Sequence, residues 1–270
     1  MIRAVQHVHR MRGGAQSHLM RCEDQNFYVV KFQNNPQHKR VLANELLATR
    51  LAERLGLPVP KTDVVEVGDW LVKNSPELAM QFAGKTEPCS SGLQFGARYV
   101  LDPFQGQVLD YLPESAFARL RNAEAFAGML CVDKWTCNAN GRQAVFWRKS
   151  RERKYSATFI DQGYCFNAGE WNFPDSPLRG VYARNEVYKG VTGWESFEPW
   201  LARLQSMPLE VLVDCADGVP TEWYGDPDDL ERLIAQLDKR RTRVEELIVG
   251  FKESSRAPFP AWTQVKVAVH

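Results

Sequence analysis

Residues 27–55 read FYVVKFQNNPQHKRVLANELLATRLAERL. The stretch opens as a strand, an aromatic and β-branched run carrying Lys31 near its end, and the NNPQ cluster stops it. From Val41 to Leu55 the period changes to that of a helix. Leu42, Leu46, Leu47 and Leu51 fall on one stripe, Glu45, Arg50 and Arg54 lie around it, and Gly56 then Pro58 end it. A lysine at the end of a strand can lay its stem along the sheet and point its ammonium inward, or point it at solvent. If it points inward, a counter-charge must hold it protonated, and Glu45 on the adjoining helix is the candidate. The alternative for Glu45 is a solvated helix position paired with a base one turn away.

Outward from this unit the first 85 residues are rich in strand signals. AVQHVHRM, SHLMRC, KTDVVEV and LAMQFAG are short apolar runs bounded by the turn clusters GG, EDQN and GD. Residues 1–85 thus predict a small sheet with one helix. Residues 86–113, with Gly, Ser and Pro throughout, suit a connection. Residues 114–254 turn helical, with candidates at Ser115–Thr136, Trp194–Gln205 and Asp226–Phe251. In the last, Asp226 reads as the N-cap, Pro227 as the first helical residue, and Asp228 and Asp229 sit at the positive end of the dipole. Two strand-like runs, AVFWRK and SATFID, lie between the first two helical candidates. Residues 255–270, with Pro258 and Pro260, read as a loosely held tail. The fold class expected is α+β: a small β-rich N-lobe with one helix and a larger helical C-lobe, the order of a protein-kinase-like fold.

Composition limits what such a fold can serve. The chain has 270 residues, 44% of them hydrophobic, and 34 basic against 33 acidic side chains give a formal charge of +1. That balance argues against a dedicated nucleic-acid binder. The six cysteines include no CxxC pair and read as reduced thiols rather than a disulfide framework or a zinc site, which points to the cytoplasm. No window has the length and apolarity of a membrane span, and the N-terminus has no signal-peptide core.

The polar residues supply the parts that phosphoryl transfer needs: a phosphate grip, a held lysine, metal ligands and a group that orients the nucleophile. Gly13 and Gly14 lie between two strand runs, where they fit either a tight turn or a close backbone approach to phosphate, with Gln16, Ser17 and His18 as further donors. No GxxxxGK[ST] loop occurs. Asp161, in SATFIDQGYCF, ends an apolar run just before Gly163, a place for a Mg²⁺ ligand or for an Asx-turn. The segment VDKWTCNANGRQAVF, residues 132–146, gathers short amides and an arginine where a helix ends. These fit either a loop orienting a hydroxyl and a phosphate, with Gln143 as a second oxygen ligand to metal, or a polar loop turning at Asn140-Gly141.

NNPQHKRVLANELLATRLAERLGLPVP, DKWTCNANGRQAVF, FIDQGYCF and GVPTEWYGDPDDLERLIAQLDKRR together resemble the HipA-like kinases of bacteria, related in fold to the phosphatidylinositol kinases, over residues 5–250. The resemblance implies ATP and Mg²⁺ as cofactors and a hydroxyl acceptor, on a protein (Ser/Thr) or a small molecule. It makes Lys31 the phosphate-contacting lysine, Glu45 its acidic partner and Asp161 the metal-binding acid. Asn138 matches the Asn of an NTD-type loop, Gln143 stands where an Asn metal ligand is usual, and Asp133 matches an orienting acid near the helix end. Asn140 occupies the position of the family's catalytic Asp. An amide takes no proton from a hydroxyl, so two readings stand: a kinase, and a kinase-like module that binds a nucleotide or partner without efficient transfer.

Overall fold

The computed structural model describes residues 1–102 and 104–262. Its first half is a closed five-stranded barrel. β1 (Ile2–Arg10), β2 (His18–Cys22) and β3 (Phe27–Lys31) form a meander. β7 (Gly92–Arg98) then lies between β3 and β4 (Thr62–Val67), and parallel pairing of β4 with β1 closes the ring. Alternation sorts each strand: Tyr28 and Val30 enter the barrel core with Ile2, Met20 and Val65, while Lys31 and Phe95 lie side by side on the other face. Gly96 admits the close approach of β4, since a Cβ there would lie 2.3 Å from the Val65 side chain.

α1 (Val41–Arg54) packs on that outer face. Eleven of its 14 residues are buried, Asn44 and Glu45 among them, and Gly56 ends it at φ 81°. A five-residue helix, α2 (Asp69–Lys73), follows β4, so the sheet-rich part carries two helices rather than one. Residues 86–113 do not act as a bare connection. They contain most of β6 (Lys85–Pro88), which pairs with β5 (Ala79–Phe82), then the barrel strand β7, and β8 (Gly106–Leu109). The Gly and Ser residues that suggested a linker sit at strand ends and at the close contact of Gly96.

The helical half encloses a second, larger core. At its centre α4 (Ala125–Trp135) is buried along its whole length. The continuous helix expected over Ser115–Thr136 is instead α3 (Glu114–Phe117), a turn, and α4. The backbone of Arg119 and Arg121 is drawn away to pair with Tyr155, at 2.9 Å on both sides. The two strand-like runs form the expected hairpin, β9 (Gln143–Lys149) and β10 (Ser156–Ile160), and β8 adds to it. Trp194–Gln205 splits into a 3₁₀ turn over Trp194–Phe197 and α5 (Trp200–Gln205), because Pro199 has no N–H to continue the helix. α6 (Leu209–Ala216) has no counterpart among the expected elements. Asp226 does cap α7 (Pro227–Arg240), its side chain accepting from the Asp228 N–H at 3.0 Å, and a 3₁₀ turn leads to α8 (Val244–Lys252). Beyond it Phe259 is buried against Tyr188, Phe197 and Phe251 and anchors the described part of the tail, although Ser255, Ala257, Pro260 and Ala261 are exposed. Residues 263–270 of the tail lie outside the described residues. Among the described residues no helix is long and apolar enough to cross a membrane, and all six thiols are free and buried.

Candidate active site

Lys31 ends β3 on the face that α1 covers, so its ammonium meets Glu45 of that helix directly. The same ammonium lies 2.6 Å from Oδ1 of Asp161, the residue after β10. Strand, helix and hairpin therefore deliver three charged groups to one point between the barrel and the helical half. Burial by itself pulls the lysine pKa down, but Glu45 and then Asp161 outweigh it, leaving the pKa raised and the ammonium charged at neutral pH. Two carboxylates share the one cation. Burial raises Glu45 despite Lys31, whereas at Asp161 the lysine overcomes burial and lowers the pKa. With all three ionised the cluster carries one excess negative charge, which a divalent cation would offset.

Asp161 holds a left-handed backbone at φ 63°, and its loop is bound to α1. Glu45 accepts the backbone N–H groups of Gln162 at 3.0 Å and Gly163 at 2.9 Å. His38, from the turn before α1, donates through Nε2 to the Gly163 carbonyl at 2.9 Å. Burial, with Lys31 adding to it, holds His38 below its ordinary pKa and thus neutral.

At the end of α4 a second network forms around Arg142. Its guanidinium engages both oxygens of Asp133, the Gln162 side chain, and the Ile160 carbonyl at 2.9 Å. Asn138 donates to Asp133 at 2.9 Å and accepts the Asn140 N–H at 3.1 Å. Asp133, Asn138 and Arg142 are all buried, whereas Asn140 and Gln143 are exposed. The loop over 138–142 is thus fastened from beneath and presents Asn140 at the surface.

Not all the expected site residues meet here. Gln16 is buried and bonded both ways to the backbone of Gln81, at 2.7 Å each, while His18 is buried against His7 at 3.0 Å. Their donors are engaged in the barrel wall, away from the lysine. The Gly13-Gly14 turn is exposed and approaches Gln37, next to His38, with Gly13 at φ 124°. Ser17 is buried. Three participants were not singled out from sequence, Asn44, His38 and Gln162, whereas Arg142 is the arginine of the amide-rich loop. Asn44 immediately precedes Glu45, and a polar residue among the apolar positions of the helix was the available signal; His38 lies in the turn before the helix.

Between the barrel and the hairpin lies a cavity of about 550 Å³, with Phe27, Val59, Tyr99, Leu101, Trp147 and Thr158 among its lining residues. Phe27 begins the strand that ends at Lys31, and Thr158 is three residues before Asp161. Both strands lead from cavity to charge, over about 13 Å and about 10 Å of extended backbone.

Residues 4–104 match the family model described as HipA-like kinase. The matched segment is the barrel with α1, carrying Lys31 and Glu45. Among solved structures, the chain is similar to the Helicobacter pylori proinflammatory kinase CtkA at TM-score 0.59 and 15% identity, over 92% of this chain and 95% of that one. Hydra Fam20, in a structure with sugar, gives 0.57 and 11%, over 96% and 89%. A Golgi casein kinase with Mn/ADP bound gives 0.50 and 11%, over 98% and 78%. No curated protein sequence matches the chain. Likeness at these identities shows the fold, which is kinase-like and α+β.

Proposed function

We propose that the chain is a two-lobed, HipA-like ATP-binding protein with the parts of a phosphotransferase. The observation that carries this reading is the pair of strands, one from each half, running from a cavity whose mixed polar and apolar lining includes Phe27, Tyr99 and Trp147 to the cluster of Lys31, Glu45 and Asp161. The cavity would hold the base, and the cluster the phosphates.

The donor set fits a metal carried by the nucleotide. Among the described residues no three His, Cys, Asp or Glu side chains converge on a point that could hold an ion. Mg²⁺ commonly takes one or two carboxylates and completes its shell with phosphate oxygens and water, so Asp161 suffices as the protein's main contribution. Gln143 starts the neighbouring strand, opposite Ile160, and is the second candidate ligand. When bound, the ion would neutralise charge on the transferring phosphoryl group. Lys31 binds phosphate oxygens, Glu45 keeps the lysine in place, and Asn138 with Asp133 holds the loop that faces a hydroxyl acceptor, of a protein or a small molecule. The Gly13-Gly14 turn, with Ser17 behind it, is the part of the barrel positioned to approach phosphates. Six free thiols favour a reducing cytoplasm.

Calorimetric titration with Mg²⁺-ATP tests the reading. Binding is expected for the wild type and loss of its metal-dependent part for Asp161→Asn; an unresponsive wild type overturns the proposal. A second reading, nucleotide binding without efficient transfer, is favoured by Asn140, which is exposed where an acceptor would arrive. Asn140→Asp separates the two. If the amide limits transfer, the carboxylate raises the rate by about 10²- to 10⁴-fold, the usual worth of a general base. Wild-type turnover equal to that of the variant removes the second reading.

A further inference from the structure

Beside Glu45 on α1 stands Asn44, fully buried and with both side-chain polar atoms directed at one loop. Its amide nitrogen lies 2.9 Å from the Gly163 carbonyl, 2.9 Å from that of Cys165 and 2.7 Å from that of Ala168. Its oxygen accepts the Trp171 indole N–H at 2.7 Å. An amide NH₂ has two hydrogens, so three carbonyls leave it saturated.

The loop it grips holds unusual conformations. Phe166, Asn167 and Ala168 follow one another at φ 60°, 57° and 58°, with Asp161 at 63° a few residues before. None is glycine; the left-handed backbone costs about 1–2 kcal/mol at each of Phe166 and Ala168, and less at Asn167 and Asp161, whose short polar side chains tolerate it. Such a run persists only where its surroundings over-determine it. On one side the Phe166 N–H donates to the Thr136 carbonyl at 2.6 Å and the Ala139 N–H to the Tyr164 carbonyl at 2.9 Å, tying the loop to the end of α4. On the other, Asn44 takes the carbonyls while Glu45 takes the N–H groups of Gln162 and Gly163. Two adjacent residues of one helix thus hold both polarities of the segment that begins at Asp161.

We propose that Asn44 is a positioning residue for Asp161: by fixing the 163–168 backbone to α1 it sets the carboxylate where a metal-bound phosphate meets it. The inference rests on the nucleotide reading above. It makes the seat of α1 and the metal-binding competence of Asp161 one property, because displacing the helix withdraws the Lys31 partner and the loop clamp together. Aspartate at this position has nearly the same shape but presents a carboxylate, without donors, to three carbonyls, so Asn44→Asp removes the clamp and adds a buried charge, whereas Asn44→Ala removes the clamp without a charge.

The experiment compares wild type, Asn44→Asp, Asn44→Ala and Ala48→Gly, the last a change elsewhere in the buried face of α1 that lowers stability without touching the loop. ATP affinity is measured calorimetrically with Mg²⁺ and with EDTA, and amide hydrogen exchange is followed across residues 161–168. Both Asn44 variants are expected to lose about 10- to 100-fold in the Mg²⁺-dependent affinity, the range for residues that orient a metal ligand. Their affinity in EDTA should stay near that of wild type and their loop exchange should accelerate, while Ala48→Gly leaves the ratio of the two affinities unchanged. Equal losses with and without metal, or loop exchange no faster than in Ala48→Gly, overturn the role of Asn44. A wild type that binds no nucleotide under either condition overturns the functional reading instead; accelerated exchange would then leave Asn44 as a loop clamp with no role toward phosphate.

Discussion

Arg142 shows how much one side chain can carry. It is buried with Asp133 and reaches from the end of α4 to the strand end that supplies Asp161. Removing one member of a buried pair leaves an uncompensated charge, so Arg142→Ala should cost about 3–5 kcal/mol in urea denaturation. Removing Asp133 as well should restore part of that loss, a non-additivity the double-mutant cycle reads directly. His18 gives a pH signature. Burial first, and then the neighbouring His7, bring its pKa down to about 4. An imidazole in the unfolded chain titrates near pH 6.5. Between those values the unfolded chain binds a proton that the folded chain does not, so stability is held above pH 6.5 and falls as the pH drops towards 4. Thermal melts from pH 7.5 to 4.5 should show that acid limb, and His18→Gln should flatten it. At this scale Lys31 and Asp161 were legible because charged residues at the ends of apolar runs are conspicuous, and Glu45 because its helix adjoins the strand of the lysine. Sequence offered no means of telling that Gln16 would bond to Gln81, 65 positions away.

Among the elements, α4 is the one whose environment overrides its local preferences. Gly128 lies in its interior, where alanine would ordinarily favour the helix by about 1 kcal/mol. Here a Cβ would lie 2.3 Å from the Trp200 ring of α5. Gly128→Ala should therefore destabilise, by about 1–3 kcal/mol as overpacking does, and a lowered urea midpoint checks it. The breaks at α3–α4 and at Pro199 have the same lesson in two forms. Proline announces its break in the sequence, whereas the turn before α4 exists because Tyr155 takes the backbone partners of Arg119 and Arg121. The hairpin β9–β10 and the capped start of α7 were legible because their signals are local.

For the whole molecule, the proposed binding site lies at a junction, so occupancy should be felt as global stability. A ligand at 100 times its Kd adds about 2.7 kcal/mol to the folded state. At about 2–4 °C per kcal/mol for a chain of this size, Mg²⁺-ATP should raise the Tm by about 5–10 °C. Asp161→Asn should abolish the metal-dependent part, and differential scanning fluorimetry with and without EDTA distinguishes the outcomes. The anchored tail makes a separate prediction. Phe259→Ala removes a ring enclosed by Tyr188, Phe197 and Phe251 and should cost about 3–5 kcal/mol, read from the same denaturation curves.

The sequence by itself determined the order of parts: a strand ending in Lys31, a helix carrying Glu45, a hairpin ending at Asp161, and the amide-rich loop between. These are readable because periodicity, turn residues and caps act over a few residues. Only the tertiary structure decided that β7 enters the barrel between β3 and β4, that one ammonium serves two carboxylates, and that Asn44 grips carbonyls some 120 residues away. Those facts depend on contacts between distant segments, whose free energy comes from burying groups together and leaves no mark on the local pattern of either segment.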